Sequence, residues 1–344
     1  MLQGLLVQAM AGVRAGRSAV VERPCAARHP GGHGPRPRKR MNDMAPTQDV
    51  PGCAATSKPR RMRELIAEGK PIISPGVHDA LSARLLEGLG FDAMLLGGSS
   101  LLAARYGLPD LGLAGLGEML ECTRDVVSAI DAPCIADADD GYGDVRSVVR
   151  TVRAYEAVGV AALVLEDQDQ QAKRPGDSDA QSVLAMPQMV AKLRAALAYR
   201  SCADTVIVAR TDCYALEGID GVLRRCEAYL HAGADGIFAS GLATHEHLAV
   251  LGHAFPGTYK LIVQVEGSRT PWLPATELHA MGFTHIAYPS YLMNRIVGAM
   301  TLAGAQLHEA ADDSAAPQEL PKLQQVRRDF DTATRIAAWR SIAS

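Results

Sequence analysis

Acidic residues end or follow several of the short apolar runs in this sequence. Asp137 and Asp139 close the run that begins at Cys134, Glu166 closes the next run, and Asp110 lies in the segment after an earlier one. Side chains two residues apart on a strand point to the same face, so we expect Asp137 and Asp139 to lie together. Converging carboxylates repel one another unless a cation is present, and hard oxygen ligands suit Mg²⁺ or Mn²⁺. The pattern therefore predicts a divalent metal site, whereas Asp140 and Asp144 alone are more typical of loop or helix N-cap residues.

A basic residue at the end of the next apolar run favours binding of an anionic substrate. Arg210 stands in the sequence Ala-Arg-Thr-Asp at the end of that run. A guanidinium at this position suits a bidentate grip on a substrate carboxylate or phosphonate. The alternative is an ion pair with Glu166 or Asp167, which would give Arg210 a structural role.

Two further segments favour an anion site. The turn Gly97-Gly98-Ser99 offers backbone N–H groups, because glycine lets a ligand approach the backbone closely. The polar segment 168–181 has about 14 residues, more than the usual connection between a strand and a helix, and such loops often serve as lids. Lys173 and Arg174 in this segment are then expected to close over the substrate.

The elements that must position these residues alternate along the chain. Eight short, continuously apolar runs are typical of strands that are buried on both faces. We predict strands at 71–75, 93–98, 134–138, 161–167, 205–210, 236–240, 261–265 and 285–289. Helical periodicity lies between and after them, at 79–89, 116–130, 145–158, 186–199, 221–232, 246–253, 291–308 and 320–342.

Eight strand and helix units in about 240 residues predict a (β/α)₈ TIM-type barrel with extra C-terminal helices. The alternative is a doubly wound sheet. This chain lacks the Gly-x-Gly-x-x-Gly turn that often follows the first strand of such a sheet. In a barrel, the active site lies at the carboxyl ends of the strands, where the acids and Arg210 stand. We divide the chain into an extension at 1–58, a catalytic barrel at 59–310 and a helical extension at 311–344.

Composition limits the remaining possibilities. Residues 1–40 hold eight basic side chains and one acid, and we expect 1–58 to be disordered, or translation to begin at Met41 or Met44. The rest of the chain is acidic, so we expect no nucleic-acid partner, with binding by the basic tail as an alternative. The sequence contains no run of 18 apolar residues, so no membrane span is predicted. Its seven scattered cysteines form no Cys-x-x-Cys pair, which favours a cytoplasmic protein.

Six motifs in order resemble the isocitrate lyase and phosphoenolpyruvate mutase superfamily, from about residue 60 to residue 296. The motifs begin at Pro75, Gly107, Asp137, Glu166, Ala209 and Val265. The resemblance implies a barrel whose eighth helix is exchanged between subunits, usually in tetramers, although a dimer is also possible. It also implies a small diacid or phosphonate substrate that binds Mg²⁺ and passes through an enolpyruvate-like species.

The resemblance assigns a role to each matching residue. Asp137 and Asp139 are similar to the metal-site carboxylates, Asp110 and Glu166 to the residues that hold the waters of the metal, and Arg210 to the substrate clamp. Further expected substrate contacts are Gly97, Gly98, Ser99, Gly176, Ser240, Gln264 and Ser290.

The chain departs from the lyase pattern in the expected lid. Lyase members carry Lys-Arg-Cys-Gly-His, in which the cysteine is the general acid and base, whereas this chain has Pro175 at that position. Ser240 stands where lyases have Glu, and Gln264 stands where they have Asn. We expect Asp177, Lys173 or a water to act as the proton donor instead.

The residues and the resemblance together predict a Mg²⁺-dependent lyase or decarboxylase. It would cleave a C–C bond of a small 2-hydroxy or 2-oxo diacid through an enolate. One alternative is P–C bond chemistry on a phosphonopyruvate-type substrate, as in carboxyvinyl-carboxyphosphonate phosphorylmutase. The other is a catalytically inactive family member that binds a metabolite, because the cysteine and histidine of the lid are replaced.

Overall fold

Eight parallel strands form the centre of the molecule. The computed structural model describes residues 57–172, 182–311 and 323–335. The strands are β1 (Ile72–Pro75), β2 (Met94–Leu96), β3 (Cys134–Asp137), β4 (Ala162–Glu166), β5 (Val206–Thr211), β6 (Gly236–Ala239), β7 (Tyr259–Val263) and β8 (His285–Tyr288). All eight predicted strands are present, although β7 begins and ends two residues before the predicted run.

The strands pair in the order β1, β8, β7, β6, β5, β4, β3 and β2, and a short contact closes the sheet. Gly76 extends β1 and forms a parallel bridge with Leu95, while Val77 N donates to Leu95 O at 3.0 Å. A Cβ at Gly76 would lie 2.1 Å from Pro289 O, so only glycine allows the end of β8 to approach here. The predicted (β/α)₈ barrel with additional C-terminal helices is confirmed.

Helices surround this barrel. They are α1 (Lys58–Ala67), α2 (Ala80–Gly88), α3 (Gly98–Tyr106), α4 (Leu116–Val127), α5 (Val145–Ala157), α6 (Met186–Tyr199), α7 (Tyr214–His231), α8 (His245–His253), α9 (Ala275–Ala280), α10 (Tyr291–Ala311) and α11 (Leu323–Ala333). The sequence analysis missed α1, α3 and α9. It also placed the start of α7 seven residues late, because Gly218 interrupts that helix with φ 64°.

Alternate residues of each strand face the barrel interior and the helices. On β5, Val206 and Val208 belong to the inner apolar cluster, while Ile207 and Ala209 pack in the outer cluster beneath the helices. Burial on both faces explains why the strand sequences are continuously apolar. The same packing orients the carboxyl ends of β3, β4 and β5 toward one end of the barrel.

The C-terminal helices expose more apolar surface than the barrel helices. Val297, Met300, Leu302 and Leu307 on α10 are each about half exposed or more. Helix α11 packs on α2, where Arg84 Nη1 donates to Ala333 O at 3.3 Å. The predicted domain division and the exchange of a helix between subunits stay predictions.

Two other expectations can be compared with the structure. No helix in the described part of the chain has the length and apolar character needed to cross a bilayer. Cys134 and Cys213 are free and buried, as expected for small core residues.

Candidate active site

The turn after β3 has an unusual backbone. Asp139 has φ 46° and Tyr142 has φ 57°, values that residues with a Cβ rarely adopt. Gly141 between them has φ 86°, and a Cβ there would lie 2.5 Å from Val148 Cγ2. The backbone N–H of Asp139 donates to Asp137 Oδ1 at 3.1 Å. The turn therefore brings the two predicted metal-site carboxylates together at the mouth of the barrel.

Side chains from α5 and α6 hold this turn in place. Thr151 Oγ1 donates to Gly141 O at 3.0 Å, and Tyr155 OH donates to Asp137 O at 3.3 Å. The buried Lys192 reaches from α6 and donates to Asp140 O at 2.7 Å and Asp140 Oδ2 at 3.0 Å. Asp140 is thus a loop residue with a structural partner, as the sequence suggested.

Asp144 is a helix N-cap residue, as the sequence suggested. It is the N-cap of α5, and its carboxylate accepts from Arg146 N at 2.9 Å and Ser147 N at 3.1 Å. The Asp144 side chain is about half exposed, and its bonds with Arg146 and Ser147 lower its pKa to about 2. It is a helix cap beside the site and not one of the converging carboxylates.

Arg210 lies between three carboxylates at the ends of β3, β4 and β5. Its Nη1 is 2.8 Å from Glu166 Oε2 and 3.4 Å from Asp137 Oδ2, and its Nη2 is 2.7 Å from Asp212 Oδ1. The guanidinium also lies over the Phe238 ring, 5.4 Å from its centroid. The ion pair with Glu166, which was the alternative to a substrate-binding role for Arg210, is therefore present, and the role of Arg210 as substrate clamp stays a prediction.

Burial and charge oppose each other in this cluster. Burial raises the pKa of Glu166 well above its usual range, Arg210 opposes that rise, and the neighbouring carboxylates add to it. Burial also disfavours the charge on Arg210, but Asp212, Glu166 and Asp137 together hold its pKa well above the usual value. Arg210 is consequently a permanent cation, while Glu166 takes a proton more readily than an exposed carboxylate.

The structure adds two residues that the sequence analysis did not assign. Asp212 is only 7% exposed, and its Oδ2 has no hydrogen-bond partner among the described residues. Gln170 Nε2 donates to Glu166 Oε1, and it lies 3.4 Å from Asp139 Oδ1. Asp212 was available to the sequence argument, because it stands two residues after Arg210 on the same strand face, as Asp139 does after Asp137.

The donor chemistry at the mouth fits a divalent cation. In the described ranges, no group of three or more His, Cys, Asp or Glu side chains has the spacing of a metal-ligand cluster. The carboxylates of Asp137, Glu166 and Asp212 nevertheless offer the hard oxygens that Mg²⁺ prefers. Among the described residues, the buried Asp212 Oδ2 has no hydrogen-bond partner, which makes this oxygen a candidate ligand atom. The assignment of Asp137, Asp139 and Glu166 as metal ligands stays a prediction.

The predicted anion turn is the first turn of a helix. Gly97 is the N-cap of α3, and the first backbone bond of that helix runs from Leu101 N to Gly97 O at 3.2 Å. The amides of Gly98 and Ser99 therefore precede the helical hydrogen bonds, and backbone N–H groups in this position suit the binding of an anion. Asp110 packs against the turn, since a Cβ at Gly98 would lie 3.1 Å from Asp110 Oδ2.

The remaining predicted contacts divide into two groups. Ser240 follows β6, with its N–H donating to Thr211 O at 3.0 Å, and the buried Ser290 Oγ has no partner in the described part of the chain. Gln264 instead holds a loop, because its Nε2 donates to Pro271 O at 3.3 Å and its Oε1 accepts from Leu273 N at 2.8 Å. Lys173, Gly176 and Asp177 lie outside the described residues, so their roles stay predictions.

A cavity of about 760 Å³ opens beside the β3 turn. Its lining includes Asp139, Tyr142, Gln170, Leu184 and Lys192. Because Asp139 and Gln170 also belong to the mouth of the barrel, this cavity is part of the same candidate site.

Comparison with known proteins identifies the family. Residues 62–308 match the family model described as phosphoenolpyruvate phosphomutase. The chain is 41% identical over 230 residues to the 2,3-dimethylmalate lyase of Eubacterium barkeri, which covers 67% of this chain and 79% of that protein. It is 34% identical over 267 residues to the 2-methylisocitrate lyase of Bacillus subtilis, which covers 76% of this chain and 87% of that protein.

Solved structures agree with this result. A crystal structure of 2,3-dimethylmalate lyase, described as a PEP mutase/isocitrate lyase superfamily member, has a TM-score of 0.72 and 30% identity, covering 83% of this chain and 99% of the other. Phosphonopyruvate hydrolase in complex with oxalate and Mg²⁺ has a TM-score of 0.69 and 26% identity, covering 83% of this chain and 98% of the other. The chain belongs to the phosphoenolpyruvate phosphomutase family, and the resemblance drawn from its motifs is confirmed.

Proposed function

We propose that this protein is a Mg²⁺-dependent carbon–carbon lyase acting on a small 2-hydroxy or 2-oxo diacid. The observation that carries the proposal is the position of Arg210, a charged guanidinium at the carboxyl ends of the strands, surrounded by Asp137, Glu166 and Asp212. The lyase names of the two similar relatives support the same reaction class.

Each part of the mouth has a role in this reaction. The amides of Gly98 and Ser99 bind one carboxylate of the substrate, and Arg210 binds the other. Asp137 and Asp139 would hold the cation, with Glu166 and Asp110 beside them. When bound, Mg²⁺ supplies positive charge that stabilises the negative charge developing on the enolate oxygen. In a 2-hydroxy diacid, the hydroxyl gives up its proton and becomes the new carbonyl as the C–C bond breaks. The electron pair of that bond stays on the other carbon, which takes up one proton.

The proton donor differs from that of the usual lyases. Pro175 has no proton to transfer, so we assign protonation of the carbon to Asp177, Lys173 or a water. Ser240 and Gln264 also differ from the lyase residues. These changes lie around a retained Arg210 and acidic set, which favours a different diacid rather than the loss of catalysis.

A turnover panel followed by proton and phosphorus NMR tests the proposal. The substrates are oxaloacetate, methylisocitrate, dimethylmalate and phosphonopyruvate, each with Mg²⁺ and with EDTA. We expect Mg²⁺-dependent formation of pyruvate or another C–C cleavage product from one diacid, and no product from the Arg210→Ala variant. Product that forms equally in EDTA would contradict the metal requirement.

The same panel separates the second candidate, P–C bond chemistry. Its support is the likeness to phosphonopyruvate hydrolase and the presence of Pro175, since that chemistry needs no cysteine to protonate an enolate. A new phosphorus signal from phosphonopyruvate, without turnover of any diacid, would replace the lyase proposal. Line broadening of a diacid without product would instead indicate an inactive binding protein.

We also propose that the protein assembles from several copies in the cytoplasm. The exposed apolar residues Met300, Leu302 and Leu307 of α10 support an interface between subunits. Light scattering coupled to size-exclusion chromatography should give a dimer or tetramer. A monomer at micromolar concentration would contradict this proposal.

A further inference from the structure

The carboxylate of Asp167 accepts hydrogen bonds from the end of β5 and from α7. Asp167 directly follows β4 and is fully buried. It accepts from Thr211 Oγ1 at 2.8 Å, from Asp212 N at 2.9 Å and from Tyr229 OH at 2.6 Å. Its own backbone N–H donates to Arg210 O at 3.1 Å. Asp167 therefore fixes the backbone that carries Arg210 without contacting the substrate region itself.

The same residue begins the paired stems of the long loop. Leu184 N donates to Asp167 O at 2.8 Å, and Asp169 N donates to Ser182 O at 3.0 Å. Gln168 and Val183 form an antiparallel bridge between these two bonds. We refer to residues 167–169 and 182–184 as the loop stems. Their pairing fixes where the loop leaves the barrel and where it returns.

Arg225 on α7 contacts both structures at once. Its Nη1 donates to Asp167 Oδ2 at 3.1 Å and to Leu184 O at 2.9 Å. The other edge of the guanidinium, Nε and Nη2, donates to Glu217 at 2.6 to 3.2 Å. Arg225 is only 5% exposed, so these contacts are shielded from water. A lysine cannot reproduce this fork of contacts with its single ammonium group.

Two glycines in α7 allow Glu217 to contact Arg225. Gly218 has φ 64° and breaks the helix immediately after Glu217. A Cβ at Gly221 would lie 2.2 Å from Glu217 Cβ, so glycine is required for this close approach. Two glycines thus permit the carboxylate of Glu217 to orient the guanidinium toward Asp167 and Leu184.

We propose that Arg225 is a positioning residue that holds the loop stems and the Arg210 strand end on one carboxylate, Asp167. Loss of this contact would release the stems and shift the Arg210 guanidinium relative to Glu166. The inference rests on the proposed role of Arg210 as substrate clamp, but its structural half can be tested without any turnover.

Hydrogen exchange at single amides and oxalate binding together test this inference. The readouts are the exchange rates of the Leu184 and Asp169 amides, and the affinity for oxalate in the presence of Mg²⁺. In Arg225→Met we expect both amides to exchange at least about tenfold faster and oxalate to bind about tenfold more weakly, while amides within β7 keep their rates. The exchange rates and the oxalate affinity of Arg225→Lys should lie between those of Arg225→Met and wild type. This variant replaces Arg225→Met in the test if the Met variant fails to fold.

Two control variants isolate the contact. Arg224→Met changes the neighbouring arginine, which is 61% exposed and only approaches Glu217 at 3.9 Å, so wild-type exchange and binding are expected. Tyr229→Phe removes a donor to Asp167 but leaves the Leu184 contact, so the Leu184 amide should keep its rate.

The outcomes are separable. Unchanged exchange of Leu184 in both Arg225 variants would overturn the inference. Faster exchange with unchanged oxalate affinity would overturn the link to Arg210. If wild-type protein turns over no substrate, the proposed function fails, but the exchange and oxalate results still decide the role of Arg225.

Discussion

The two ends of the barrel hold a buried carboxylate beside arginine in different ways. At the amino ends of the strands, Asp235 accepts from Arg63 and Arg200, each at 2.8 Å, and from Ile207 N at 2.9 Å, so both of its oxygens have donors. At the carboxyl ends, Asp212 accepts from Arg210 on one oxygen, and its other oxygen has no partner among the described residues. The two carboxylates therefore differ, because both oxygens of Asp235 have donors and one oxygen of Asp212 has capacity for another group.

Unusual backbone angles occur at both ends. The positive φ values of Asp139 and Tyr142 lie at the carboxyl end, in the turn that carries the predicted metal-site residues, and Phe255 has φ 53° between α8 and β7 at the amino end. The amino end also buries His285 of β8, whose ring nitrogens are each 2.5 Å from a hydroxyl, Ser74 Oγ and Tyr259 OH. The amino end thus shows how this fold holds a carboxylate between two arginines, and we propose that the carboxyl end uses its carboxylates to bind a ligand.

The largest expected effect is at the carboxyl end. Arg210→Ala should lower kcat/KM by about 10³-fold, because it removes the cation that binds the anionic substrate. Its melting temperature should also fall, because the buried Glu166 loses the cation that it contacts. NMR assays on the substrate identified by the panel measure the effect, with Arg224→Ala as the matched control. Less than a tenfold loss would break the comparison.

Removal of a predicted metal ligand should have the next largest effect. Asp137→Asn should weaken Mn²⁺ binding by about 100-fold, the upper end of what the loss of a group supporting a metal ligand costs. Titration followed by electron paramagnetic resonance measures free Mn²⁺. Asp144→Asn keeps the cap of α5 and should bind like wild type. Equal binding by all three proteins would show that the cation does not use this turn.

A substitution at the amino end should affect stability and not turnover. Asp235→Ala should lower the free energy of unfolding by about 2 kcal/mol, since two arginines lose a charged acceptor. Turnover per folded molecule should be unchanged. Urea denaturation measures the stability, with Glu68→Ala as a control, because that residue makes only exposed ion pairs. A large loss of kcat in Asp235→Ala would blur the distinction between the two ends.

The smallest expected effect is a pH dependence from His285. Burial lowers its pKa to about 3, whereas the unfolded chain has the ordinary value of 6.5. Between these values the unfolded chain binds the additional proton, so stability falls as the pH is lowered from about 6.5 toward 3. The slope from this group is at most about 1.4 kcal/mol per pH unit. Urea titrations at pH 7.0, 6.0 and 5.5 should show a shallower slope in His285→Gln, and an unchanged slope would contradict the assignment.

Much of the fold could be predicted because local patterns and packing agree. The apolar runs became strands since both faces are covered, and α6 begins and ends at the predicted residues. The missed α3 begins with Gly98 and Ser99, which are weak helix formers and were interpreted as a turn. The early start of α7 was hidden by Gly218, whose φ of 64° interrupts the helical pattern.

The site was only partly predictable. The spacing of Asp137 and Asp139 and the position of Arg210 were sufficient to expect them at one end of the barrel. The roles of Asp212, Gln170 and Lys192 depend on distances between separate elements, and no local pattern encodes those distances. The resemblance to the lyases suggested that Gln264 contacts the substrate, and only the structure shows that its amide binds the Pro271 and Leu273 backbone.

The amino-acid sequence alone determined the alternation of strands and helices, the acidic and basic residues at the strand ends, and the family. These properties depend on hydrophobic periodicity and on short motifs, which are local along the chain. Only the tertiary structure decided that Arg210 lies among three carboxylates, that one Asp212 oxygen has no partner among the described residues, and that Arg225 joins the loop stems to Asp167. Those contacts connect residues from different strands and helices, and their geometry exists only once the barrel has closed.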